Sequence, residues 1–436
     1  MKRMAMKRPF DRKPGHAVIV MLFLAVLPTA LQGAPAGRLD LELQELIAEA
    51  TRNNPEILAA GSEREAALHR VSPAGALDDP MLEAGVVNTP LASQTFRRED
   101  MTMKMLGLSQ RFPYPGKRGL RQDVAAKEAE SVSHAYQETV NRVARDVKAA
   151  YFELAFVVES ARLVEKNRQI LKQFLQISES RYAVGQGTQA DVLKAQTQLT
   201  RMEDELIKLA GERRTIEAEL IRDLGRESEA ALPAPAALRL PEVALPLESL
   251  RETALKERPQ LLGLKSMIDR SENALELARK DYYPDFDVKL SYGQREDMLD
   301  GMPRDDMVSL TVAVNLPVWR KSKRDPGVAE AIAMRNQATE MYQAQQNEVS
   351  SQLRQQIANA DQSLKSARLY ETGILPQARL AVESSLAAYR VNRVDFLMLL
   401  DSQMTALEYE ISHASALSNY NIALAEIELL TGKALF

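Results

Sequence analysis

No cysteine occurs anywhere in the 436 residues. That excludes disulfide staples, thiolate metal centres and a lipid-bearing N-terminal cysteine. Aromatic residues make up only 5% of the chain, with one tryptophan, and glycines (19) and prolines (20) are few for this length. Such a profile is poor material for a β-sandwich or an α/β enzyme and suits long helices. His69, His134 and His413 are scattered through the sequence. With no H-E-x-x-H spacing, glycine-rich phosphate loop or nucleophile elbow, an enzyme is not expected, nor a catalytic residue, a metal site or a cofactor. Beyond the N-terminus no apolar run is long enough for a transmembrane helix, so any membrane insertion must use β-strands.

What is present begins with a basic start. Lys2, Arg3, Lys7, Arg8, Arg12 and Lys13 precede an apolar run from Ala17 to Leu27, followed by Ala34-Pro35-Ala36. A run this short does not span a bilayer. The pattern reads as a secretory signal over residues 1–36, cut after Ala36. Removing it takes away those six bases and Asp11, and the formal charge moves from -4 to about -9, which disfavours nucleic acid as a partner.

The rest of the chain is written twice. Leu46, Ala50 and Pro55 recur as Leu250, Ala254 and Pro259; Pro80 recurs as Pro284, and Phe112-Pro113 as Leu316-Pro317. Ser160-Ala161-Arg162-Leu163 returns as Ser366-Ala367-Arg368-Leu369, and Tyr182, Val184 and Gln196 return as Tyr389, Val391 and Gln403. A repeat of this length decides the architecture. The expected organisation is a first repeat over 37–230, a proline-rich linker over 231–246 and a second repeat over 247–436. Each repeat holds short helices, two strands and a long helical hairpin.

Between Leu120 and Val184 there is neither glycine nor proline, and Val140, Val143, Val147, Ala150, Leu154, Val157 and Ala161 recur at spacings of three and four. This is an amphipathic helix of roughly 100 Å, which requires neighbours to pack against. The first hairpin is expected over 117–225, turning at Gly185-Gln186-Gly187. The second is expected over 326–431, its outgoing helix interrupted by Gly373 and Pro376.

Strands are expected at about 80–88, 102–112, 284–293 and 307–317. In the last two, Phe286, Val288, Leu290 and Tyr292, then Val308, Leu310, Val312 and Val314, alternate with polar or small residues. Such alternation fits a barrel wall between lipid and water, and equally a sheet with one face on a soluble core. Flanking residues favour the membrane: Phe112, Tyr114, Tyr282, Tyr283 and Trp319 cluster where strands meet helices, as an interfacial belt does. Lys117, Arg118 and Arg121, with Arg320, Lys321, Lys323 and Arg324 in the second copy, then fit either anionic head groups or a solvated helix start. Met101, Met103 and Met105 slip phase against Leu106, Leu108 and Phe112, and are expected to alternate on a lipid-facing strand. Four strands cannot close a barrel, and open edges cannot face lipid. Several copies must therefore share one barrel: a dimer, a trimer or a tetramer.

At this point the chain resembles the TolC-type outer-membrane efflux factor family. The resemblance rests on the duplicated element order, on FPYPGKRG at the strand exit, and on RYAVGQGTQADVLKAQTQL (181–199) and AYRVNRVDFLMLLDSQMTAL (388–407). It implies a mainly α homotrimer with a small β-barrel: twelve strands, four per protomer, continued by a long α-helical periplasmic barrel. It also implies an outer-membrane exit channel for small molecules or ions, working with an inner-membrane pump and a periplasmic adaptor. By the same resemblance the adaptor meets the tips, Val184, Gly185, Gln186, Gly187 and Thr188, then Val391, Asn392, Arg393, Val394 and Asp395. A gate follows from Asp401 and from a hydrogen bond between Asp191 and Tyr389. Two other readings stay open: an exit duct for protein secretion, and a periplasmic coiled-coil scaffold.

Overall fold

The computed structural model describes residues 41–91, 95–227 and 232–435. The expected secretory segment lies outside them. Two helices, α1 (Leu41–Asn53) and α2 (Pro55–Ala74), lead to strands β1 (Met81–Val87) and β2 (Met103–Phe112), then to α3 (Lys117–Ala183) and α4 (Gln189–Leu224). The same order follows again: α5 (Leu247–Glu257), α6 (Pro259–Lys280), β3 (Phe286–Gln294), β4 (Met307–Val314), then α7 (Asp325–Leu369), α8 (Leu375–Arg390) and α9 (Phe396–Thr431). None of the described helices is long and apolar enough to cross a membrane.

The 67 residues of α3 form one unbroken helix, roughly 100 Å long at 1.5 Å per residue. Its stripe of Val143, Val147, Leu154, Val157 and Leu171 is buried in a core shared with α1, α4 and α9. A second core joins α5, α7 and α9 through Leu353, Tyr420, Leu424 and Ile427. Ion pairs tie α9 to α3 beside this packing: the half-buried Arg145 to Glu426 at 2.9 Å, and Lys148 to Glu428, whose side chains are both buried. The described part of the proline-rich linker, from residue 232, is strapped across these helices. The Tyr151 hydroxyl accepts from Ala236 N–H, the Tyr420 hydroxyl donates to the Pro241 carbonyl, and Asn421 donates to the Arg239 carbonyl.

Each hairpin closes on its own repeat. Gly225 (φ +68°) ends α4 against the α1–α2 junction, and a Cβ there would lie 2.5 Å from the Asn53 carbonyl oxygen. Gly432 (φ +70°) ends α9 against the α5–α6 junction, and a Cβ would lie 2.8 Å from that of Glu257. The chains approach so closely, in a left-handed conformation, that only glycine fits.

The expected interruption of the second outgoing helix at Gly373 and Pro376 is a change of helix type, not a break. Tyr370–Ile374 form one π-helical turn that joins α7 to α8 without a break. Leu163 matches Leu369 and Tyr182 matches Tyr389, so the second copy carries one extra residue between these points. A π turn absorbs a single inserted residue while the helix continues. Arg320–Arg324 form another such turn at the start of α7.

The four strands pair in chain order, all antiparallel. Register puts Leu82, Leu108, Leu290 and Leu310 in one row and Ala84, Leu106, Tyr292 and Val308 in the next, on one face. The opposite face carries Met81, Ser109, Lys289 and Thr311, then Glu83, Gly107, Ser291 and Ser309. Met103 and Met105 lie on this polar face, four and two residues from Gly107, not on the lipid-facing side where the sequence reading had them. Alternation within β2 already sets them opposite Leu106 and Leu108, the phase slip visible in the sequence; the cross-strand partners show that their side is the polar one. Among the described residues β1 and β4 each keep one unpaired edge, and β4 is exposed along its whole length.

Replacing Val312, on the leucine face, by arginine is expected to cost about 2–4 kcal/mol if it lies near the bilayer midplane. Thr311→Arg on the polar face should assemble normally and alter conductance. Yield of folded protein from membranes and single-channel recording measure the two; equal assembly defects would place the sheet on a soluble core.

Candidate functional site

The two hairpin turns are built alike. In the first, Gln186 N–H donates to the Arg181 carbonyl at 2.8 Å and Gly185 takes φ +73°. In the second, Arg393 N–H donates to the Ala388 carbonyl at 2.9 Å and Asn392 takes φ +62°. Asparagine adopts this conformation more readily than other residues with a Cβ, so it stands where the first copy has glycine. Thr188 caps α4 by accepting from Asp191 N–H at 3.2 Å, and Asp395 caps α9 by accepting from Met398 N–H at 2.8 Å. Both turns leave Val184, Gln186, Val391 and Arg393 exposed. They are short, capped and outward-facing.

The expected hydrogen bond between Asp191 and Tyr389 is not formed among the described residues. The Asp191 carboxylate completes a capping box, accepting from Thr188 N–H at 3.1 Å. Its position, third in the helix, aims it back at the cap. Tyr389 is 4% exposed, its ring edge-on to Phe396 at 5.8 Å. At the tips Arg181 links the first hairpin to Tyr389 of the second. Its guanidinium donates to the Tyr389 carbonyl at 2.6 Å and lies over the Tyr389 ring at 4.5 Å. Neither Arg390 nor Arg393, both exposed, takes that place. Arg181 has alanine at its repeat-equivalent position, Ala388, so the duplication hid it.

Asp401 is exposed on α9, on a groove of about 960 Å³ between α4 and α9. Asp204, Glu205, Asp395 and Glu408 line the same groove, with Lys194, Arg201 and Lys208 as the bases. Carboxylates outnumber bases, and the groove favours cations. Behind it the amide of Gln403 donates to Asn167 at 2.8 Å, and Gln198 donates to the Met404 sulfur at 3.1 Å, a polar layer between α3, α4 and α9. No group of three or more His, Cys, Asp or Glu side chains placed to hold a metal occurs among the described residues.

At the other end of α3 the sheet is anchored. Tyr114 and Tyr283 stack at 4.6 Å, Tyr282 bonds to Asp325, and Phe112 and Trp319 are exposed beside them. Lys117 does not reach towards head groups: it is 2% exposed, 2.9 Å from Asp285 and 3.2 Å from Asp281. Burial pushes the Asp285 carboxyl up, but the Tyr114 N–H, donating at 2.8 Å, and the Lys117 ammonium more than offset it and hold it below the usual carboxylate range. Asn315 accepts from Asp285 N–H at 2.6 Å, ending β4 before the expected 317. Gly116 (φ +92°) makes the turn in FPYPGKRG that brings Lys117 into this clamp.

Arg181→Met is expected to free the second tip from the first and raise proteolytic cleavage at 391–395 by about an order of magnitude, the loss of roughly 1.4 kcal/mol. Tyr389→Phe should leave cleavage unchanged, because the carbonyl and ring carry the contact. Timed proteolysis with mass readout distinguishes them; the reverse pattern would restore the tyrosine hydroxyl as the link.

The outer membrane efflux protein family matches residues 46–226 and 250–433, so both copies are covered. The cobalt-zinc-cadmium resistance protein CzcC of Cupriavidus metallidurans is 22% identical over 90% of this chain and 90% of its own. Outer membrane protein TolC of Vibrio cholerae is 24% identical over 89% of each. Among solved structures, CusC superposes with a TM-score of 0.79 at 14% identity, covering 91% of this chain and 93% of its own. VceC of Vibrio cholerae gives 0.75 at 17% identity, covering 90% and 97%. A sheet with a lipid-compatible face, helical hairpins too long for a globular domain and a family match across both repeats agree: the chain belongs to the outer membrane efflux protein family, channels of the outer membrane with a large helical part in the periplasm.

Proposed function

We propose that three copies of this chain close one barrel of twelve strands, and that the hairpins continue it as a tunnel through the periplasm. The observation that carries this reading is the sheet: four strands with one apolar face, one polar face and two open edges. Lipid tolerates no unpaired backbone edge, so β1 of one copy must meet β4 of the next. The polar face then lines the lumen. In this reading the chain is the exit channel of a tripartite efflux system, taking small molecules or ions from an inner-membrane pump through a periplasmic adaptor.

The adaptor would seat on the two turns, Val184–Thr188 and Val391–Asp395, whose apolar residues Val184 and Val391 are 69% and 64% exposed among the described residues. Asp401, repeated by symmetry, becomes a ring of three carboxylates at the periplasmic mouth, which draws cations and resists anions. Asp191 and Tyr389 enter this gate through the cap and through Arg181, not through a bond to each other.

Native mass measurement in mild detergent is expected to give three copies, and a stable monomeric barrel would overturn the arrangement. In planar bilayers Asp401→Asn should keep the trimer and weaken cation selectivity; unchanged selectivity would place the gate elsewhere.

A further inference from the structure

One row of the sheet alternates glycine and methionine. Gly85 pairs with Met105, Met105 with Gly293, and Gly293 with Met307. The row lies on the polar face, one step from the row of Glu83 and Ser291. Met103, two residues before Met105, shares that face, and its sulfur leans over Gly293: a Cβ there would stand 2.5 Å from Met103 Sδ. Neighbouring strands lie about 4.8 Å apart, so Met105 and Met307 stand roughly 10 Å apart across a residue with no side chain. Methionine is long and unbranched, so two of them can reach towards each other across that gap. Three thioethers thus border one glycine.

Packing gives little reason for this choice. A strand surface favours β-branched or aromatic residues, and ordering a methionine costs more side-chain entropy than ordering leucine or isoleucine. Nor is the row a core: Met307 is 37% exposed, and Ser291, Ser309 and Thr311 share its face. Hard oxygen donors are withheld from it. Glu83, a carboxylate in the next row of that face, is paired with Lys289. What remains is a set of neutral, soft sulfur ligands beside a surface that carries serine and threonine, and such ligands select Cu(I)-like ions over hard divalent ones.

We infer that Met103, Met105 and Met307 form a binding site for a soft monovalent cation, Cu(I) or Ag(I), on the channel wall near its outer end. The placement on the wall rests on the reading that the polar face lines the lumen. With three copies the row becomes a ring of such sites, and neutral thioethers release a passing ion more readily than thiolates would.

The test uses full-length protein in mild detergent and Ag+ as the nitrate in chloride-free buffer. Native mass spectra are expected to show at least one Ag+ bound per chain. Ag+ should slow labelling of Met103, Met105 and Met307 by a methionine-selective oxaziridine about tenfold, while Met334 and Met341 on α7 keep their rates. The triple variant Met103→Leu, Met105→Leu, Met307→Leu preserves apolar volume and should lose the bound Ag+. No Ag+ on the parent, equal Ag+ on the variant, or unchanged labelling would overturn the site. The labelling arm needs no variant, so it decides even where the triple variant fails to assemble. Ag+ binding with these properties, together with Thr311→Arg channels that conduct like the parent, would overturn the luminal placement alone.

Discussion

Hydrocarbon gives a peptide group no water to bond with, and every strand edge facing it must therefore find a backbone partner. This chain brings four strands with β1 and β4 open at their outer edges, and the leucine rows lie on one face of all four. A sheet of this kind is stable in a membrane only when copies complete each other's hydrogen bonds. The protomer is thus not an independent unit of stability in the bilayer. Assembly and folding of the sheet are one event.

The helices meet a different demand. A helix of 67 residues has far more surface than one partner covers, and its buried stripe is shared among α1, α4 and α9. Charged pairs such as Lys148–Glu428 stand beside that stripe and fix which neighbour it meets. The proline-rich strap bonds to side chains of α3 and α9, so what reads as a linker is a clasp. At the membrane end Lys117 joins α3 to the strands through Asp285. Where the helices meet the sheet, the Lys117–Asp285 pair, the Tyr114–Tyr283 stack and the Tyr282–Asp325 bond hold the junction together.

Much of this was legible in the residues. Repeated Leu–Ala–Pro spacings fixed the duplication, and the absence of glycine and proline from Leu120 to Val184 fixed the long helix. Side-chain partnerships were less legible, for physical reasons. Lys117 looks like any base at a helix start; only the turn at Gly116 swings it inward. Asp191 was matched to a gate, but three residues after a threonine it serves the cap first. Arg181 lacked a repeat partner and so carried no signal, although it holds Tyr389. The methionines of β2 lie opposite Leu106 and Leu108, as their odd numbering dictates; which of the two faces is polar is shown only by the cross-strand partners Glu83, Ser291 and Ser309.

The π turn at Tyr370–Ile374 has a mechanical side. The segment beyond it, α8, has 16 residues, a rod of roughly 24 Å at 1.5 Å each. Backbone bonding is weakest at such a turn, so bending concentrates there. A tilt of about ten degrees at that point carries the far end of the rod through roughly 4 Å. In α3 no equivalent turn exists, and that helix runs as a stiff mast alongside. One added residue has thus given one arm of each protomer a lever and left the other arm as its fixed post.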